Sequence, residues 1–115
     1  QSQDERRYEM IFTLNAPMFD LLVLTIVSHG DAYGYQISQV IKTVSNTKDS
    51  TLYPVLRRLL EQGFLTSYDQ PYQGRNRKYY RITQEGQQKQ EELSEQWRQF
   101  QDAISNIMDG GKNYD

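Results

Sequence analysis

The side chains of this sequence that could do chemistry are cations, and many of them lie in one stretch. Residues 50–82 read STLYPVLRRLLEQGFLTSYDQPYQGRNRKYYRI, in which hydroxyl residues precede the first arginines. Arginine and lysine neutralise phosphates, and hydroxyls at the start of a helix add hydrogen bonds to the same groups. The stretch is therefore suited to bind a polyanion. Its basic residues are Arg57, Arg58, Arg75, Arg77, Lys78 and Arg81.

Residues that serve catalysis or metal binding are scarce. The chain has no cysteine, a single histidine and no carboxylates at ligand spacing, so we expect neither a metal site nor another cofactor. We expect His29 at a helix C-terminus, near the last carbonyls. Asp20 and Asp31 stand alone in the sequence, and it contains no glycine-rich phosphate loop or catalytic triad. The protein is therefore not expected to be an enzyme.

The charge of the chain is unevenly distributed. The formal net charge is -2, yet residues 42–81 hold eight basic and three acidic residues, which gives +5 there and -7 elsewhere. This asymmetry indicates one basic face on an acidic body, with chance segregation in a small protein as the alternative.

The length of 115 residues fits one domain, or one domain with a helical extension. No apolar run reaches the roughly 18 residues of a membrane span, because Asp20 and Thr25 interrupt Met18–Val27. The absence of cysteine favours a reducing compartment such as the cytoplasm. No signal peptide is evident, although the chain begins at Gln1 and could have lost a leader.

The elements that position the cations follow from the spacing of apolar residues. Asn15 and Pro17 favour a helix start, and Pro17–Ser28 is apolar on most of its circumference. A helix of this kind is buried on all sides, which in a small domain indicates a second surface such as a partner subunit. A turn at residues 31–34 leads to a second helix, predicted over Tyr35–Val44.

The third helix carries the first pair of arginines. We predict that Ser50 or Thr51 caps its start, that Pro54 lies in its first turn, and that Gly63 ends it. The buried stripe consists of Leu52, Val55, Leu56, Leu59 and Leu60. The opposite side presents Ser50, Tyr53, Pro54, Arg57, Arg58 and Glu61.

Two strands follow the third helix. Aromatic and β-branched residues predict strands at Phe64–Tyr68 and Arg77–Ile82, joined by a flexible loop over Asp69–Asn76. Tyr79 and Tyr80 are expected on opposite faces of their strand, one in the core and one partly exposed.

The last helix is predicted to start after Thr83, as its capping residue, and to run to about Met108. After two polar turns, large apolar residues recur at spacings of four, three, four and three, which is typical of a helix that pairs with another helix. These residues are Leu93, Trp97, Phe100, Ile104 and Ile107.

Three helices followed by a basic hairpin predict a winged helix-turn-helix, a mainly α fold with a small β-hairpin (α+β). We expect residues 1–83 to form a DNA-binding domain with an N-terminal arm, 84–109 a dimerisation helix, and 110–115 a disordered tail. In such motifs the second helix of the pair enters the major groove of double-stranded DNA. The alternative is an ordinary solvated helix beside a hairpin whose charges blunt a sheet edge. The predicted DNA contacts are Ser50, Thr51, Tyr53, Arg57, Arg58, Arg75, Arg77 and Lys78.

Trp97 admits more than one role. The simplest is helix–helix packing, but two copies across a twofold axis could instead frame a flat apolar slot for a small planar ligand. The nine tyrosines could stack single-stranded bases, although most of them fit core or hinge positions. A winged helix that binds another protein without DNA is a further alternative.

Four segments of the chain together resemble the PadR family of transcriptional regulators. They are YGYQI at 33–37, STLYPVLRRL at 50–59, GFL at 63–65 and RKYYRITQEG at 77–86. An LYP motif followed at this distance by KYY-x-[IL]-T-x-x-G is highly specific, and the resemblance covers about residues 16–108. The short chain and single long C-terminal helix resemble a small subfamily that includes multidrug-sensing repressors.

The resemblance implies a bacterial homodimer that binds a palindromic operator and represses transcription. It implies that the LYP helix enters the major groove, that the basic hairpin contacts the backbone, and that Tyr35 lies near the DNA face. It also implies a final helix packed on the partner's first helix, and a drug cavity lined by Trp97 that Phe100 could fill. The expected interface residues are Phe19, Leu22, Leu93, Trp97, Phe100, Ile104 and Ile107.

Overall fold

The computed structural model describes residues 11–111; the rest of the predicted N-terminal arm and C-terminal tail lies outside the described residues. Its elements, in chain order, are α1 (Ala16–Ser28), β1 (Ala32–Tyr33), α2 (Gly34–Ile41), α3 (Asp49–Glu61), β2 (Leu65–Tyr72), β3 (Arg75–Ile82) and α4 (Gln84–Met108). The predicted order of three helices, a hairpin and a long helix is confirmed. One short strand, β1, was expected to be only a turn.

Helix α1 starts and ends as its sequence predicts. The Asn15 side chain accepts a hydrogen bond from the Met18 backbone N–H at 3.2 Å, Pro17 lies in the first turn, and His29 occupies the C-cap position. Only one side of α1 is fully buried, through Phe19, Val23, Leu24 and Val27. The opposite side stays partly open within one chain, so the predicted burial on all sides would require the second surface, which stays a prediction.

Helices α2 and α3 differ from prediction at their ends. Helix α2 ends at Ile41, and α3 begins at Asp49 after Lys48, which provides no side-chain cap. Ser50 therefore lies inside the first turn of α3 and does not cap it, and the same holds for Thr51. The Asp49 carboxylate supports this start, because an anion is favourable at a helix N-terminus.

Pro54 is the sixth residue of α3, beyond the first turn in which we expected it. A proline at this depth removes the backbone donor that the carbonyl of residue 50 would otherwise use. Both Ser50 and Pro54 are exposed, so water can satisfy that carbonyl.

The sheet is antiparallel with strand order β1-β3-β2. Strands β2 and β3 stay paired from Leu65 opposite Ile82 to Tyr72 opposite Arg75, so the predicted loop over Asp69–Asn76 is wrong. The connection contains only Gln73 and Gly74, with φ of 50° and 80°, which fits a two-residue hairpin turn of the primed type. Pro71 is accommodated because β2 is an edge strand.

One core lies between the three short helices and the inner face of the sheet, to which Tyr80 belongs. The predicted stripe of α3 is confirmed, with Leu60 only partly buried, and Tyr80 is buried while Tyr79 is half-exposed. The core residues are Phe19, Val23, Leu24, Val27, Ala32, Ile37, Ile41, Leu52, Val55, Leu56, Leu59, Leu65 and Tyr80.

Thr83 fixes the start of α4 against the base of the hairpin. Its hydroxyl accepts from the Gly86 N–H at 2.9 Å and donates to the Gly63 carbonyl at 2.7 Å, which confirms the predicted cap. Helix α4 has 25 residues, which corresponds to roughly 37 Å. It packs on α1 through Leu93 and a hydrogen bond from Gln90 to Thr25 at 3.0 Å. Across residues 11–111, none of the helices combines the length and apolarity that a membrane crossing needs.

Candidate nucleic-acid interface

The exposed face of α3 touches both α2 and the wing, which we define as the hairpin of β2 and β3. Tyr53 packs on the start of α2, since a Cβ placed on Gly34 would lie 3.3 Å from the Tyr53 ring. Burial raises the pKa of Tyr80, the nearby Tyr53 raises it further, and Arg57 opposes this rise. Lys78 approaches from the same face of β3, its Nζ 5.7 Å from the centre of the Tyr80 ring. Tyr53 and Arg57 thus both act on the titration of one buried tyrosine, and Lys78 lies over its ring.

Two tyrosines add to this surface. Tyr35 at the start of α2 is 61% exposed, and Tyr53 is 47% exposed. Ser50 and Thr51 are exposed on the first turn of α3. The hydroxyl residues and Arg57 thus lie exposed on α3 and Lys78 lies exposed on β3, and their contact with DNA stays a prediction.

The joint between α2 and α3 is held by a buried hydroxyl. Ser38 donates a hydrogen bond to the Asp49 carboxylate at 2.7 Å, and the Lys42 ammonium lies 3.5 Å from the same oxygen. The Ser38 hydroxyl is the main cause that lowers the pKa of Asp49, and Lys42 lowers it further. These contacts hold the start of α3 against α2. No pattern in the sequence indicated them.

The two neighbouring arginines of α3 have different surroundings. Arg58 donates to both carboxylate oxygens of Asp20 on α1, whereas Arg57 is exposed. The hydrogen bonds to Asp20 raise the pKa of the Arg58 guanidinium. Asp20, isolated in the sequence, is thus a structural partner, and Arg58 is less available to an outside phosphate than predicted.

The wing cations divide between the two faces of β3. Lys78 shares the inner face with Tyr80, whereas Arg75, Arg77 and Arg81 alternate onto the outer face with Tyr79. Arg77 is half-buried between the rings of Tyr33 and Tyr72, and Arg75 and Lys78 are exposed. The predicted flexible basic loop is therefore replaced by paired strands, with Arg75 and Arg77 on the outer face of β3 and Lys78 on the inner face.

Asp31 holds the base of the wing. Its carboxylate accepts from the Tyr68 hydroxyl at 2.7 Å and from Arg81 Nε at 3.1 Å. The Tyr68 hydrogen bond is the main cause that lowers the pKa of Asp31, and Arg81 lowers it further. Asp31 precedes a strand of two residues, which is too short to carry a periodic pattern, so the sequence did not reveal this cluster.

The predicted interface residues occupy two environments. Phe19 is 8% exposed and packs in the core of its own chain, so it has little surface to offer a partner. The α4 residues are open, with Trp97 36% exposed, Phe100 51%, Ile104 41% and Ile107 61%. Leu22 and Leu93 are partly buried beside them.

A groove of about 330 Å³ lies beside Trp97. Its walls are formed by Phe12 and Leu14 before α1, by Leu21 and Leu22 on α1, and by Trp97. Phe100 packs next to Trp97, with ring centres 5.9 Å apart, and does not line this groove. Among residues 11–111, no group of histidine, aspartate or glutamate side chains is arranged to hold a metal ion.

Comparison with known proteins agrees with this geometry. A sequence model described as the transcriptional regulator PadR-like family matches residues 23–92. The fold is similar to a crystal structure from Streptococcus mutans, with 40% identity, a TM-score of 0.87, and coverage of 92% of this chain and 100% of that one. It is also similar to a PadR family transcription regulator from Clostridium difficile, with 29% identity, a TM-score of 0.71, and coverage of 78% of this chain and 97% of that one.

A third similar structure is Bacillus subtilis PadR in complex with operator DNA. Its identity with this chain is 26% and its TM-score 0.59, with coverage of 64% of this chain and 44% of that one. The family match spans more than half of the chain and includes α3, the wing and the first turns of α4. The chain therefore belongs to the transcriptional regulator PadR-like family, whose members are DNA-binding regulators of transcription and not enzymes.

Proposed function

We propose that this chain is a homodimeric repressor that binds a palindromic operator through α3 and the wing. One observation carries the proposal: Lys78 of β3 lies 5.7 Å from the centre of the Tyr80 ring, and the charge of the exposed Arg57 on α3 acts on the same tyrosine by opposing the rise in its pKa. When a DNA duplex binds such a surface, the wing contacts its phosphates and the helix contacts the edges of its bases. The complex of Bacillus subtilis PadR with operator DNA supports this choice of ligand. Such a regulator works where the chromosome is, which in a bacterium is the cytoplasm.

The proposed contacts have distinct roles. Arg57 reads a base edge or neutralises a phosphate, and Ser50 and Thr51 bind phosphate with the start of α3. Arg75 and Lys78 contact the backbone. Tyr35 and Tyr53 complete the surface. Two predicted members, Arg58 and Arg77, are held by partners within the chain, so we assign them supporting roles.

Dimerisation is proposed through α4, with residues 1–83 as the DNA-binding unit. The open seam of α4 is the support, because adjacent exposed apolar residues on a helix mark a surface that another element covers. A second copy that packs its α1 against this seam would cover the partly open side of α1 as well. The two α3 helices should then lie about 34 Å apart, one turn of DNA.

The test uses DNA from the region upstream of the gene, with fluorescence anisotropy at several salt concentrations. Arg57→Ala should weaken specific binding by roughly 1–3 kcal/mol if Arg57 reads a base. Lys78→Ala and Arg75→Ala should weaken binding to specific and random DNA alike. Each should also reduce the slope of log affinity against log salt by about 0.9. Arg98→Ala, which removes the same charge from an exposed site on α4, is the matched control.

The outcomes separate the parts of the proposal. If Arg75→Ala and Lys78→Ala leave affinity and slope unchanged, the wing does not bind DNA. If no upstream fragment competes better than random DNA, sequence-specific regulation of the chain's own gene is excluded. A reporter driven by the upstream region should be less active with the protein than without it, and equal or higher activity would contradict repression.

A second candidate function is the sensing of a small planar ligand. The groove beside Trp97 supports it, since an apolar cleft with one wall of tryptophan suits a flat aromatic molecule. Trp97 fluorescence titrated with flat aromatic cations tests this function. Quenching together with a raised melting temperature supports binding, and the absence of both contradicts it.

A further inference from the structure

The outer face of the sheet carries one continuous stack of rings and guanidinium groups. The Arg77 Cζ lies 3.6 Å from the centre of the Tyr72 ring and 3.9 Å from that of Tyr33. Tyr79 meets Tyr33 edge-on at 5.5 Å and stacks on Tyr68 at 5.6 Å, with 13° between the ring planes. Arg81 continues the stack, 4.8 Å above the Tyr68 ring.

Arg77 occupies a special place in this stack because it lies on the central strand. Tyr33 belongs to β1 and Tyr72 to β2, the two edge strands of the sheet. The guanidinium of Arg77 therefore bridges the whole width of the sheet. Tyr72 directly precedes the turn, whereas Tyr33 directly precedes α2, so the bridge joins the tip of the wing to the body of the domain.

The bridge compensates for a weak backbone connection. Strand β1 pairs with β3 only at Ala32–Tyr80 and Tyr33–Tyr79, and the outer half of the wing pairs only within itself. An isolated two-stranded ribbon of this kind is free to twist and bend. Contacts of Arg77 with a ring on each edge strand limit that motion.

We propose that Arg77 is a positioning residue that sets the orientation of the wing, so that Arg75 and Lys78 meet the DNA backbone, and that it does not itself bind phosphate. The inference rests on the proposed DNA binding by the wing. A planar guanidinium can stack on two rings at once, whereas an ammonium cannot, so arginine is needed here for its shape as well as its charge. The half-buried state of Arg77 beside the exposed Arg75 and Lys78 agrees with this division of roles.

Arg77→Lys and Tyr72→Leu test the proposal because neither changes the charge of the wing. Each should weaken DNA binding by about two- to fivefold, the equivalent of one lost cation–π contact, with the salt slope unchanged. The double variant should be little weaker than either single one, since both remove the same bridge. Amide hydrogen exchange in residues 69–78 should become faster in both single variants, and thermal unfolding confirms that each is folded.

Lys78→Ala is the reference, because it should reduce the salt slope by about 0.9. If Arg77→Lys binds DNA as tightly as the original protein, charge alone suffices and the proposal is overturned. The proposal is also overturned if Arg77→Met reduces the slope as Lys78→Ala does, since that is the signature of a phosphate contact. If Lys78→Ala and Arg75→Ala are also without effect, DNA binding by the wing fails first, and the role of Arg77 with it.

Discussion

Arg58 and Asp20 form a two-pronged ion pair that joins α3 to α1. Arg58 Nη1 and Nη2 donate to the two carboxylate oxygens at 3.0 and 2.7 Å, across 38 positions of the sequence. The Asp20 side chain is 15% exposed and that of Arg58 37%. The pair therefore fixes the helix that carries Arg57 against the helix that, in our proposal, contacts the partner.

The neighbours Arg57 and Arg58 should respond differently to the same substitution. Arg58→Met leaves Asp20 largely buried without its partner, so we expect the free energy of unfolding to fall by about 1.5–3 kcal/mol, nearer the lower value because Arg58 is partly solvated. Arg57→Met should change the free energy of unfolding by no more than about 0.5 kcal/mol, and should instead weaken DNA binding. Urea unfolding and anisotropy measure the two effects, and equal stability of the two variants would contradict the structural role of Arg58.

Gly86 should not tolerate alanine, although it lies in the first turns of α4. Alanine in a helix normally gains about 1 kcal/mol over glycine. A Cβ on Gly86 would overlap the Phe64 carbonyl oxygen and lie 2.8 Å from Ile82 Cγ1, so we expect Gly86→Ala to cost about 1–3 kcal/mol instead. Thermal unfolding measures this, with the exposed Gln87→Ala as control. A stabilised Gly86→Ala would show that α4 does not press on the wing base.

The apolar seam of α4 predicts how the proposed dimer responds to a single charge. Ile104→Glu places a carboxylate among the apolar residues proposed to contact a second copy, and an unpaired charge there is costly to bury. We expect monomers in sedimentation velocity at a concentration where the original protein is dimeric. Ser105→Glu, one position along but outside the seam, should remain a dimer. A stable, folded Ile104→Glu dimer would place the interface elsewhere.

The Asp31 cluster predicts a specific acid sensitivity. The fold lowers the pKa of Asp31, chiefly through Tyr68 and then Arg81. Its stabilising contribution is therefore present above the unfolded value of about 3.9 and is lost as pH falls through the lower folded value. Asp31→Asn should reduce the free energy of unfolding at neutral pH. It should also make that free energy fall less steeply as the pH drops below about 4. Tyr68→Phe should act in the same direction, and an unchanged acid profile in Asp31→Asn would contradict the role of the cluster.

Much of the fold could be predicted because its signals are local. Asn15 before α1, Pro17 in its first turn, Thr83 before α4 and Gly63 after α3 act through hydrogen bonds and backbone angles of their own neighbourhood. The predictions of β1 and of the hairpin loop were wrong because these backbone conformations depend on contacts with distant segments of the chain. Strand β1 exists because β3 pairs with it, and β2 continues through Pro71 because an edge strand needs no donor there.

The family and the order of the elements could be inferred from residue order, as could the set of cations that we propose for the DNA face, since motifs and apolar spacing are properties of neighbouring residues. Which of those cations are available depends on the packed fold. It pairs Arg58 with Asp20 and stacks Arg77 between Tyr33 and Tyr72, while Arg57 and Lys78 remain exposed. Side-chain partners from remote segments meet only after the core has packed, and adjacent residues of the same type can then face different surroundings.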